Sequence, residues 1–231
     1  GVLKEGKIKF LKNIEFNKIN FLFNIKEKNY LFKDIKFSSD KVNFNSDLLK
    51  IVKIKNRHLI EGKLENSKSS ISKNLFKFLN LNFKNLDTEN TKFSSKSNFI
   101  FQIDKKFKVK NLKFLSQINF NKMIYKNVNT LTEYLPEIRK NFILNNHDLK
   151  LKYEKKTLTV DGKGKIKIGD NSDQIEYFIR KNKDNFEFET DINIKKTTLK
   201  NTKLFKTNFP LSKNLIDLRN HQINIKYLDN N

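Results

Sequence analysis

Apolar and polar residues alternate along most of this chain. In Ile19-Phe21-Phe23-Ile25, Phe99-Phe101-Ile103, Leu149-Leu151-Tyr153 and Ile223-Ile225-Tyr227 each apolar position is parted from the next by one residue. That period turns every second side chain to one face of a β-strand. The same spacing runs from Leu158 to Ile168, through Ile175-Tyr177-Ile179, and along Phe186-Phe188-Thr190-Ile192-Ile194. Polar clusters such as Lys181-Asn182-Lys183-Asp184-Asn185 part these runs and predict turns. Connections so short join antiparallel neighbours, since parallel pairs need long crossovers. The pattern predicts an all-β chain built from antiparallel strands.

Two segments carry helical spacing instead. Thr130-Leu131-Thr132-Glu133 reads as a capping box, and Leu131, Tyr134, Leu135 and Ile138 would share one helix face, with Pro136 keeping the helix short or bent. Ser72 to Leu81 fits a helix through Leu75, Phe76 and Leu79, and fits strands equally through Phe76-Phe78 and Leu81-Phe83. One or two short helices are therefore expected beside the sheet.

The stretch Val160-Asp161-Gly162-Lys163-Gly164-Lys165 invites a phosphate-loop reading, which its spacing does not support. A Walker-type loop has four residues between its glycines and then Lys-Ser/Thr opening a helix. Here the glycines fall in register with Leu158, Val160, Ile166 and Ile168, so the segment reads as a strand weakened by glycine. The cluster Asp170-Asn171-Ser172-Asp173 then reads as a turn.

A repeat is the most specific feature of the chain. Residues 135–153 (LPEIRKNFILNNHDLKLKY) align without a gap to residues 209–227 (FPLSKNLIDLRNHQINIKY), 74 positions later. Pro136 meets Pro210, Asn146-His147 meets Asn220-His221, and Leu149-Leu151-Tyr153 meets Ile223-Ile225-Tyr227. The only two prolines of the chain fall in register, as do two of its three histidines. One structural unit recurs, which predicts equivalent strands with their apolar triplets on the same side.

Composition changes the picture at two points. The chain has a formal net charge of +23, which ordinarily points to nucleic acid or an anionic surface. Its lysines, however, are spread through every segment opposite apolar neighbours, as the wet face of a sheet requires. A bias toward Lys, Asn, Ile, Phe and Leu, with no alanine, suggests a genome rich in A and T. With 37% hydrophobic residues and 22 phenylalanines the chain has ample material for a folded core. No run approaches the ~18 apolar residues of a membrane helix, and GVLKEGKIKF lacks the apolar core of a signal peptide. The absence of cysteine removes disulfides and thiolate metal sites.

Converging catalytic groups are not visible. His58, His147 and His221 are far apart and lack the neighbours of a nucleophilic motif. Asp161 falls on the lysine-bearing side of its strand, and Glu187, Glu189 and Asp191 fall on the polar side of theirs, where they balance lysines. The expectation is a protein that is not an enzyme, with no metal and no cofactor. Lysine interleaved with phenylalanine would also suit single-stranded nucleic acid, but no compact aromatic-basic motif is present, so nucleic acid is the less favoured partner.

The segments GKIKFLKNIEFNKINFLFNIKEKNYLFKDIKF, KVNFNSDLLKIVKIKNRHLIEGKLEN and LTVDGKGKIKIGDNSDQIEYFIRKNKDNFEFETDINI resemble the AsmA-like family, most closely its YhdP branch. The resemblance covers nearly the whole chain and rests on the strand ending Ile60-Glu61-Gly62-Lys63-Leu64-Glu65-Asn66 and on the stretch from Gly162 to Ile179. It implies an elongated, curled antiparallel sheet, repeat-like, whose apolar side forms a groove for phospholipid acyl chains. It also implies a periplasmic location, with the parent protein anchored in the inner membrane of a Gram-negative bacterium. The family's usual N-terminal membrane helix is not seen here, so the chain is expected to be an internal fragment. Residues 1–128 would form a first groove segment, and 129–231 a second with the start of a further repeat. Groove candidates are Phe21, Phe23, Ile25, Phe99, Phe101, Ile166, Ile168, Ile175, Tyr177, Ile179, Phe186, Phe188, Ile192 and Ile194. The alternatives are a basic nucleic-acid-binding module or a structural β-sandwich.

Overall fold

The computed structural model describes residues 1–10, 14–40, 42–71, 86–87, 91–126, 141–168, 171–200 and 215–230. The alternating runs become strands: β1 (Val2–Phe10), β2 (Ile14–Lys26), β3 (Asn29–Ser39), β4 (Val42–Ile54), β5 (Arg57–Ser70), β6 (Leu86–Asp87) and β7 (Lys92–Asp104). They continue as β8 (Val109–Lys126), β9 (Asn141–Glu154), β10 (Thr157–Ile168), β11 (Asn171–Lys181), β12 (Asn185–Lys200) and β13 (Leu215–Asn230). All belong to one sheet. Apart from the two-residue β6, which pairs with β8, each strand lies beside its sequence neighbours from β1 to β13, antiparallel throughout.

No helix occurs among the described residues, and both helix candidates, Thr130 to Arg139 and Ser72 to Leu81, lie outside them. The Asp170 cluster differs from expectation. Asn171, Ser172 and Asp173 form the first residues of β11, because each pairs across to Ile168, Lys167 and Ile166 of β10. Polar side chains did not end the strand where β10 offered backbone partners on one side.

The hairpins turn tightly. Glu27-Lys28 and Lys155-Lys156 have both central residues at positive φ, 50° and 67° in the first and 50° and 63° in the second. This is the mirror-image turn whose twist suits a β-hairpin, and Asn-Gly usually occupies it. Long charged side chains there cost of order 1 kcal/mol per residue in steric strain.

A second set of positive φ values lies inside strands: Glu5, Lys18, Asp34, Lys68, Asn111, Asn146 and Asn220. Register shifts accompany several of them, between Leu3 and Gly6, Asn17 and Asn20, and Asn66 and Ser69, while the shift opposite Asn146 falls between Lys163 and Lys165 of β10. A bulge of this kind bends and over-twists its strand and changes the phase of the side-chain alternation. In β9, Leu144 and His147 are three residues apart, yet both lie on one face, paired to Met123 and Phe120 of β8. In β3 the same step separates Phe32 from Ile35, paired to Leu49 and Ser46. The bulges thus bring apolar runs of opposite phase onto a single side of the sheet.

Candidate functional site

One row of paired residues crosses nearly the whole sheet. It runs Phe23, Phe32, Leu49, Gly62, Phe99, Phe114, Tyr153, Leu158, Lys181, Phe186 and Asp229, each opposite the next. Directly paired residues project to the same side. Period-two counting from this row puts all the groove candidates on that side, and Lys167 and Asn193 on the other.

Within this apolar face the candidates fall into local groups. Phe21 packs edge-on against Phe23 and Phe32, with centroids 6.0 and 5.2 Å away, while Ile25 near the hairpin is exposed. Phe99 and Phe101 lie 5.9 Å apart. Ile166 and Ile175 are buried together, with Phe142, Leu144, Tyr177 and Ile192 packed against them. Ile194 is buried, and Ile179, Phe186 and Phe188 are half-buried, with Phe186 6.2 Å from Tyr227. The Ile168 side chain lies outside the described set. A further cluster that the candidates did not include joins Val42, Phe93 and Phe120 with Phe44, Ile118 and Leu149.

The two glycines of β10 have a structural explanation. A Cβ on Gly162 would meet the Tyr177 ring at 2.2 Å, and one on Gly164 would meet His147 Cδ2 at 2.4 Å. Each glycine lets an aromatic ring lie close over the backbone, the use glycine finds inside a strand. His147 also stacks on Phe120, centroids 5.0 Å apart and 8° from parallel, and lies 5.8 Å from Tyr177. Three rings from β8, β9 and β11 therefore meet on the apolar face.

His147 is 0% exposed. Its Nε2 lies 3.0 Å from the Lys165 carbonyl, which only accepts, so Nε2 carries the hydrogen and Nδ1 is left to accept from the Tyr177 hydroxyl at 3.4 Å. Burial holds the imidazole below its usual pKa, against the opposing pull of the Lys165 carbonyl and Asp148. Burial also pushes the Tyr177 phenol up to about 12. Both groups are neutral at ordinary pH and occupied with each other, which fits packing rather than proton transfer.

Other polar residues on this face are likewise used internally. Ser97 and Ser116 hydroxyls pair at 2.8 Å, Thr190 donates to the Glu176 carbonyl at 2.9 Å, and Asn66 donates to the Phe93 carbonyl at 3.1 Å. Asp173 is the exception. It is fully buried, its Oδ1 accepts the Lys195 amide at 2.9 Å, and its Oδ2 has no hydrogen-bond partner among the described residues. The period contains a signal for these residues, because His147 falls in phase with Leu149 and Asp173 with Ile175. By residue type alone His147 reads only as a repeat marker and Asp173 as a turn residue.

The opposite face carries most of the charges, several of them paired. Glu154 holds Lys113 at 2.7 Å and Lys152 at 3.2 Å, and their hydrogen bonds keep its carboxyl below the usual range. Lys226 bridges Glu189 and Glu187, which hold its ammonium above its usual range. Asp161 is exposed on this side, as its phase requires. Among the described residues no group of three or more acidic or histidine side chains is placed to hold a metal ion, and no helix is long and apolar enough to cross a membrane. No family model, curated protein or solved structure matches this chain.

Proposed function

We propose that this chain is a lipid-transport module whose sheet curls around its apolar face to form a groove for phospholipid acyl chains. The single observation that carries the reading is the apolar face itself, continuous in register from β2 to β12 while the described residues form only one sheet. An apolar face must be taken from water, and hydrocarbon does this as well as a second sheet does. Bulges in successive strands supply the bend that a groove needs.

The state of the polar side chains favours hydrocarbon over a polar ligand. Hydroxyls and amides on this face bond to the protein, so most of what remains to touch a ligand is CH. Each buried methylene contributes about 0.8 kcal/mol, enough to hold a lipid without a specific polar pocket. Repeated weak contact suits passage along the sheet. The resemblance to AsmA-like proteins extends this reading to movement of phospholipid between inner and outer membranes, through a periplasmic parent anchored in the inner membrane.

A photo-crosslinking residue at Ile192 should capture phospholipid in cells, while the same probe at Asn193, on the other face, should not. Mass spectrometry of organic extracts from the purified chain should find phospholipid, and Ile192→Asp should deplete it by placing a charge against hydrocarbon. Equal lipid adducts at both positions, or none at Ile192 in folded protein, would count against the groove.

A further inference from the structure

Antiparallel order places alternate connections at the same end of the strands. The described turns β2–β3, β4–β5, β7–β8, β9–β10 and β11–β12 therefore form one edge of the sheet. Strand spacing of about 4.8 Å sets neighbouring turns about 10 Å apart, so the edge runs for about 40 Å. Its tips carry Lys28, Lys55, the Lys105-Lys106-Phe107-Lys108 loop, Lys155-Lys156 and Lys183, against the two carboxylates Glu27 and Asp184. Of these lysines only Lys183 is within an ion pair among the described residues, 4.0 Å from Asp184. On the outer face Lys113, Lys152 and Lys226 have carboxylate partners. Eight lysines therefore meet two carboxylates along this edge.

Phe107 stands at the middle of that edge and is 86% exposed. The loop is built to hold it there. Asp104 Oδ1 accepts the amides of Lys106 and Lys108 at 2.9 and 3.0 Å, its Oδ2 pairs with Lys110 at 3.3 Å, and the Phe107 amide donates to the Asp104 carbonyl at 3.0 Å. Bonds from the Lys108 and Lys106 amides and from Lys110 keep the Asp104 carboxyl below its usual range, so the brace persists at neutral pH. Phe107 itself adopts φ 57°, an uncommon conformation for an aromatic residue. Lysine also fills both left-handed positions of the Lys155-Lys156 turn.

We propose that this hairpin edge docks on an anionic phospholipid bilayer, with the turn lysines held by headgroup phosphates and Phe107 inserted at the interface. Basic residues gather to negative leaflets, and an exposed aromatic between them adds the apolar anchor that charge alone lacks. Single-stranded nucleic acid would need a series of stacking rings along the edge, and among the described turns Phe107 is the one aromatic. The inference is separate from groove occupancy, since it concerns the turns and not the apolar face.

The chain contains no tryptophan, so Phe107→Trp gives a single emission reporter in the full chain. Vesicles of phosphatidylglycerol and phosphatidylethanolamine should move that emission to shorter wavelength, whereas phosphatidylcholine vesicles should not. Vesicle co-sedimentation of Lys105→Glu/Lys106→Glu/Lys155→Glu/Lys156→Glu should fall at least about tenfold. The charge-matched outer-face variant Lys33→Glu/Lys36→Glu/Lys63→Glu/Lys96→Glu should lose less than about threefold, which separates an oriented edge from net charge. Lipid in organic extracts should be the same in both variants, so a failed groove reading would not imitate a failed docking edge. An unshifted tryptophan emission from the Phe107→Trp chain with anionic vesicles, equal losses in the two charge variants, or quenching by a single-stranded oligonucleotide without a vesicle response would each overturn the proposal.

Discussion

β9 and β13 hold the two copies of the repeated unit in different surroundings. Their backbones agree: Asn146 and Asn220 both occupy the left-handed region, at φ 51° and 52°, and the histidine follows in each. Their apolar triplets also point to one side. Leu151 leads by direct pairing through Val160, Ile179 and Phe188 to Tyr227, and Leu149 leads through Gly162, Tyr177 and Thr190 to Ile225. Burial then separates the copies. β9 lies between β8 and β10, and His147 is fully buried; β13 ends the order of strands, and His221 is exposed, with its Nδ1 2.6 Å from the Arg219 carbonyl. Ile225 and Tyr227 remain 46% and 53% exposed. The unit sets a strand with a left-handed asparagine before its histidine, and its neighbours decide whether the histidine is core.

The widest separation between the copies should come from removing their histidines. His147→Ala leaves a ring-sized gap beside Phe120 and Tyr177 and should cost about 3 kcal/mol, while His221→Ala should stay within about 0.5 kcal/mol. Urea unfolding measures both, and equal losses would mean that neighbouring strands do not set the difference.

A smaller effect is expected from Gly164→Ala. The new methyl would meet the His147 ring, which is already stacked on Phe120, and overpacking of this kind costs about 1–3 kcal/mol. Combined with His147→Ala the cost should nearly vanish, because the atoms it strikes are gone. A double-mutant cycle reads this coupling, and additive losses would sink the contact.

The smallest effect is a slope with pH. Burial lowers the folded-state pKa of His147, so the unfolded chain binds the proton more readily. Stability from this group is full above the ordinary histidine value of about 6.5 and falls as pH drops from there toward the lower folded value. His147→Phe keeps a ring and removes the titration, so its unfolding free energy should lose that part of the slope between pH 7 and 5. An unchanged slope would show that His147 is not the group responsible.

Alternation was a sufficient guide to strand type, because it repeats over long runs and each run ends in turn residues. It reads every groove candidate onto one side, and the row from Phe23 to Phe186 runs along that side in register. Bulges were harder. In β9 the change of phase between Phe142-Leu144 and His147-Leu149-Leu151 was present in the sequence, but no single residue type announces a bulge, and Lys18 and Lys68 fill the same role that Asn146 fills. The rings over Gly162 and Gly164 were not legible for a different reason, since Tyr177 and His147 come from strands on either side of β10.

By itself the sequence determined the period, the turn between Lys181 and Asn185, and the repeated unit, all of which depend on residues a few positions apart and on the two-residue geometry of an extended backbone. Tertiary structure alone decided what each position meets. Twelve strands in sequential order share one face, so burial of a residue depends on partners from other strands, and the same Asn-His pair is core in β9 and surface in β13. Ladder pairing also overruled local chemistry at Asn171, Ser172 and Asp173, where pairing to β10 outweighs the turn preference of three polar side chains.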